Sequence, residues 1–80
     1  MDANRRKMLE KADGLVTEAR GILEEARDLE QEALDCLEWE FQGTEREEEM
    51  EGAVAVLEDA VTQLEEVEHA LEGMWQEEKR

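Results

Sequence analysis

The sequence predicts an all-α fold, an antiparallel two-helix hairpin of coiled-coil type. Apolar residues recur at helical spacing over two long stretches, no proline interrupts either, and a Gly-Thr pair joins them. In the first stretch Met8, Ala12, Leu15, Ala19, Ile22, Ala26, Leu29, Ala33 and Cys36 follow a 4-3-4-3 rhythm, widened on one side by Leu9, Val16, Leu23 and Leu37. In the second, Met50, Ala53, Leu57, Ala60, Leu64, Val67, Leu71 and Met74 follow 3-4-3-4, flanked by Val54, Val61 and Trp75. Residues 1–80 form a single helical-hairpin domain in this reading. Helix 1 runs from about 4 to about 42, the turn takes 43–44, and helix 2 runs from about 45 to about 78.

Local chemistry marks the junction. Gly43 is a C-cap residue, able to take φ > 0 without a Cβ penalty. Thr44-Glu45-Arg46-Glu47 fits a capping box, with Thr44 as N-cap and Glu47 reaching back to its amide. So short a connection makes the helices antiparallel, as rods of roughly 50–60 Å at 1.5 Å per residue. Alanines at 12, 19, 26 and 33 in helix 1, and at 53 and 60 in helix 2, let the helices approach closely while larger residues fill the neighbouring layers. Folding about the turn puts Gly14 level with Gly73, as a close backbone approach or as two tolerated glycines. Two helices make one layer of contacts, and the widened stripes leave apolar surface to cover. A homodimer closing into a four-helix bundle is the simplest cover, opposed by repulsion within so acidic an assembly.

Charge sets the class of partner. The chain carries 25 Asp and Glu against 9 Lys and Arg, a formal net charge of -16. Residues 1–11 sum to +2 and the remainder to -18. A domain this anionic repels nucleic acid and anionic membranes and is drawn to basic protein surfaces. With 42% charged residues the composition resembles a disordered acidic tail, but 40% hydrophobic residues in helical register make a fold. Cys36 is the only cysteine, so no intrachain disulfide forms; it suits a reducing cytoplasm and reads as a small apolar helix residue in preference to a surface free thiol. No apolar run is long enough to span a bilayer, and Arg5-Arg6-Lys7 leads into no signal-peptide core.

No catalytic, metal or cofactor site is expected. Glu66 and His69 have the Glu-x-x-His spacing of di-metal bundles. With Leu64 and Val67 inside, however, both point to solvent. Cys36 and His69 lie on different helices several turns apart, so they make no nucleophile–base pair. A thin hairpin also lacks a water-excluding pocket.

Three features are candidates for binding. The glutamate runs Glu47-Glu48-Glu49 and Glu65-Glu66 are either solvated faces or parts of a negative rod that fills a basic groove, as a nucleic-acid mimic would. Trp39 lies one position off the helix 1 stripe, near Phe41 and the turn. It is either an exposed interface anchor or, the preferred placement, a lid on the end of the core. Arg5, Arg6 and Lys7 oppose the helix macrodipole. They either pair with Glu72, Glu77 and Glu78 at the adjoining end of helix 2 or form an anion site with the helix amides.

The stretch from Arg27 to Glu51 resembles a group of small acidic helical proteins encoded by phages and prophages of gut Firmicutes. Arg27-Asp28, Glu30-Gln31-Glu32-Ala33, Asp35, Gln42, Glu45-Arg46, Glu48 and Met50-Glu51 carry the likeness. The early Arg5-Arg6-Lys7 and the later Leu64-Glu65-Glu66 extend it over most of the chain. Members tend to have Asn and Pro where this chain has Cys36 and Glu38, and Gly at Glu47. A proline there implies a helix 1 that ends near Asp35, followed by an irregular segment to Gly43. The resemblance implies a phage setting and a bacterial host cytoplasm; it implies no activity.

The expected function is a non-enzymatic acidic interaction module, a phage-encoded inhibitor or modulator of a host protein, with anti-defence inhibition as one form. The acidic faces would dock on a basic surface with Trp39 and Phe41 as anchors. Two alternatives stand beside it. One is an oligomer that binds or sequesters a phosphorylated small molecule through Arg5, Arg6 and Lys7; the other is a structural coiled-coil assembly protein.

Overall fold

A computed structural model describes residues 2–79, with side-chain surroundings through Met74. It contains helix α1 (Ala3–Asp35), a 3-10 turn (Trp39–Phe41) and helix α2 (Glu45–Lys79). The two long helices pack antiparallel into a rod of 60 × 15 × 15 Å. At the start of α1, Asp2 is the N-cap, its Oδ1 accepting the Arg5 N–H at 2.9 Å.

Helix α1 stops at Asp35, well before Gln42, with Cys36 as its C-cap. The Cys36 N–H donates to the Glu32 carbonyl at 3.0 Å, and the Leu37 N–H tightens onto Leu34 O at 3.2 Å. The reason lies in the charge at this end. The last turn holds Glu32 and Asp35 and no basic residue, so it sets carboxylates against the negative end of the macrodipole. Glu38 and Glu40 would have added two more. The chain turns extended at Glu38 (ψ 143) and makes a single 3-10 turn, Phe41 N–H to Glu38 O at 2.9 Å. Gly43, at φ 78, then reverses it. The connection therefore occupies residues 36–44. The cap of α2 also differs from the capping box. Glu47 accepts the Gly43 N–H at 2.9 Å, not that of Thr44, and the Thr44 hydroxyl donates to the Phe41 carbonyl.

On α1 the seam uses the stripe that the sequence reading placed on the flank; on α2 it joins the flanking Val54 and Val61 to Met50, Leu57, Leu64 and Leu71 of the expected stripe. Val54 and Val61 are the buried hydrophobic residues among those described, at 7% and 4% exposure. Leu9, Val16, Leu23 and Leu34 of α1, with Leu37 of the connection, meet them half-buried, together with Met50, Leu57, Leu64 and Leu71 of α2. Met8, Leu15, Ile22 and Leu29, expected at the centre of the contact, are instead 56–65% exposed. Each helix carries two adjacent apolar stripes about 100° apart, and a single neighbour covers one of them. Burying the Leu9–Val16–Leu23 stripe also brings Arg20 onto Glu68 across the seam. Gly14 and Gly73 mark no close approach, since a Cβ at either would meet open space.

Removing two methyl groups at the seam's best-buried position should be costly. Val61→Ala is expected to lower the unfolding free energy by about 2 kcal/mol in urea titrations followed by helical circular dichroism. A loss below about 0.5 kcal/mol, the range of ordinary surface changes, would place the core elsewhere.

Candidate protein-interaction site

The turn end carries an unprotected indole. Trp39 opens the 3-10 turn and is 83% exposed. The lid placement does not occur, because Leu37 turns inward to close the end of the seam. Phe41 is partly covered by the Arg46 guanidinium, 5.6 Å from its ring centroid. Ala33, Cys36, Leu37, Phe41, Arg46 and Met50 line an open cleft at this end. Around it Glu38, Glu40, Glu45, Glu48 and Glu49 are exposed. Glu47 differs from its neighbours: it is half-buried and holds the Gly43 amide, so its work is structural.

Glu65 and Glu66 are exposed further along α2. They lie about 25 Å from the Glu48–Glu49 pair at 1.5 Å per residue, so the two glutamate runs form separate patches. Glu65 borders an open cleft with Arg20, Glu68, His69 and Glu72. Here Arg20 Nε donates to Glu68 Oε1 at 2.8 Å across the seam, and its Nη1 donates to Glu24 on its own helix. Hydrogen bonding to Glu68, then to Glu24, raises the Arg20 pKa above its ordinary value. One guanidinium thus serves two carboxylates, leaving Glu65 and Glu72 to keep the patch acidic. His69 and Glu66 are both exposed, and His69 Nδ1 lies 3.8 Å from Glu72.

At the other end Arg5, Arg6 and Lys7 are exposed. The Arg5 Nε lies 3.7 Å from Asp2 Oδ2, and Asp2 already accepts an amide of the first turn. A carboxylate of the chain itself therefore occupies part of the proposed anion site. Of the acidic partners expected for this end, Glu72 stands beside His69, while Glu77 and Glu78, like Trp75, fall outside the residues whose side chains are described.

The sequence reading expected apolar surface left to cover, without placing it on the rod. Positions one residue before the seam point to the same side on both helices, because an antiparallel partner reverses both the direction of travel and the facing direction. On α1 this side shows Met8, Ala12, Leu15, Ala19, Ile22, Ala26, Leu29 and Ala33; on α2 it shows Ala53, Val56, Ala60, Gln63, Val67, Ala70 and Met74. Met8 and Met74 border one shallow apolar depression, which fixes the two rows on one side. Between Met8 and Ala33 on α1 and between Ala53 and Met74 on α2 not one of these positions is charged, in a chain with 42% charged residues; beyond them the same side carries Arg5 and Glu49. The signal was present as the second stripe on each helix; only the choice of seam turns it into a surface.

Comparison with protein-family models, curated proteins and solved structures finds no match to the chain. Among the described residues, no helix is long and apolar enough to cross a membrane, and no group of three His, Cys, Asp or Glu could hold a metal ion.

The Arg20–Glu68 pair gives the seam a polar register mark. Arg20→Glu is expected to lower the thermal midpoint, and adding Glu68→Arg should recover part of the loss. Equal melting of the single and double variants would show that the two side chains do not interact.

Proposed function

We propose that this chain is a non-enzymatic protein-interaction module that docks its turn end on a basic protein surface, with Trp39 as the anchor. The observation that carries this reading is the 83% exposure of Trp39 within a ring of exposed glutamates. An indole left in water on a small domain gains more from burial in a partner's pocket than any other side chain here. The surrounding carboxylates repel nucleic acid and anionic lipid and favour a basic rim around that pocket. The Glu65–Glu66 patch extends the negative surface along the shaft, consistent with mimicry of a nucleic-acid backbone. The resemblance to small acidic phage proteins points to a bacterial host protein as the target and to inhibition or modulation, anti-defence inhibition included, as the outcome. The working unit in this reading is a homodimer in a four-helix bundle, which would cover the apolar side of the hairpin.

Affinity capture from bacterial lysate tests the docking mechanism. Specific partners should be retained at low salt and released as ionic strength rises. Trp39→Ala should weaken binding of a purified partner at least about tenfold, the range of a true anchor. Affinity indifferent to both salt and Trp39 would refute the mechanism.

A further inference from the structure

We propose that the charge-free side of the hairpin is the interface with a second copy of this chain, with the two α1 helices meeting antiparallel and each large residue of one seated on an alanine of the other. The inference rests on the dimer proposed above for its stoichiometry and is independent of the Trp39 reading.

The pattern on α1 is self-complementary in one register. Large residues stand at 8, 15, 22 and 29, and alanines at 12, 19, 26 and 33. In an antiparallel pairing centred between Arg20 and Gly21, Met8 faces Ala33 of the second copy, Leu15 its Ala26, Ile22 its Ala19, and Leu29 its Ala12. All eight positions are used, as large-on-small layers of constant thickness. Sliding by one heptad spoils this: in one direction Leu29 faces Arg5, and in the other Met8 runs past the end of α1 at Asp35. A parallel pairing stacks Met on Met and Ala on Ala, alternating wide and narrow layers that no single helix spacing satisfies.

Direction and area agree. On α1 this surface lies roughly a quarter-turn from the seam, so each helix can face two neighbours at the corner of a square bundle. From Met8 to Ala33 it runs about 38 Å at 1.5 Å per residue. Across the 15 Å rod that is a flat strip of roughly 550 Å², which side-chain relief enlarges toward the about 800 Å² per partner of standard interfaces. The rim carries a mixed electrostatic term. Lys11 comes within two residues of level, about 3 Å, with Glu32 of the second copy at each end, and Glu18 lies equally near Glu25 in the middle. With -16 on each chain, net repulsion remains, so added salt should strengthen this association while it weakens docking to a basic partner.

The test uses the complete chain and its one cysteine. Sedimentation equilibrium should report a closed dimer whose affinity rises from low to moderate salt. Ile22→Glu should raise the dimer dissociation constant at least about 100-fold, because a carboxylate is buried on each side of the interface. The same charge on the opposite side, Thr17→Glu, should leave it within about threefold, as surface changes do. Both variants should keep their helical circular dichroism. A nitroxide on Cys36 should show an interspin distance near about 45 Å by pulsed electron spin resonance, because residue 36 of one copy lies level with residue 5 of the other. A monomer, or a dimer indifferent to Ile22→Glu, would overturn the interface. A Cys36 separation below about 20 Å, the width of a bundle with both turns at one end, would overturn the antiparallel pairing. Trp39→Ala should leave every one of these readings unchanged, so failure of the docking reading and failure of this one are distinguishable.

Discussion

A lone antiparallel neighbour covers one stripe of a helix, and this chain has two on each. That mismatch governs the rest of the structure. Covering the Leu9–Val16–Leu23 stripe with Val54, Leu57, Val61 and Leu64 leaves the Met8–Leu15–Ile22–Leu29 row in water. Exposing four large aliphatic side chains in one line is unfavourable at about 25 cal/mol per Å². The proposed dimer would remove that cost without altering the hairpin. A seam with two buried residues among those described is a slender core for 80 residues, and covering the second stripe would also add stability to the first.

The seam itself is not purely apolar. Arg20 crosses to Glu68 and binds Glu24 alongside, and Asp13, Arg27 and Glu30 are half-buried close by. Such pairs add little net stability in partly wet surroundings, yet they discriminate between registers. A heptad slip of α2 along α1 would keep leucine against leucine but would separate Arg20 from Glu68. The polar marks thus compensate for an Ala- and Leu-rich pattern that repeats too regularly to specify its own alignment.

Electrostatics also shapes the two ends. At the turn, acidic residues oppose the dipole of α1, end it early and leave a segment in which Trp39 is displayed while Leu37 closes the core. At the other end Asp2 caps α1 and sits against Arg5, so the basic start is partly neutralised from within. The result is a rod with an acidic, aromatic tip and a basic, capped base.

The sequence by itself determined the helices, their antiparallel order and the place of the turn, because period, proline content and the Gly43–Thr44 pair act locally. It determined the acidity, from which the proposed class of partner follows. Which stripe each helix buries was decided by tertiary structure. Both stripes carry large aliphatic residues at heptad spacing, and it is pairing across the seam, Arg20 with Glu68 included, that selects the one interrupted by Asp13, Arg20, Arg27 and Glu30. The end of α1 was legible in part: the charges that oppose the dipole are in the sequence, but the competing apolar rhythm runs on through Cys36 and Leu37. The exposure of Trp39 and the half-burial of Glu47 were not legible, since both follow from the path of residues 36–44, where Glu47 captures the Gly43 amide and the indole faces outward. The charge-free side was written in the sequence position by position. It became a surface only when antiparallel packing turned both rows the same way.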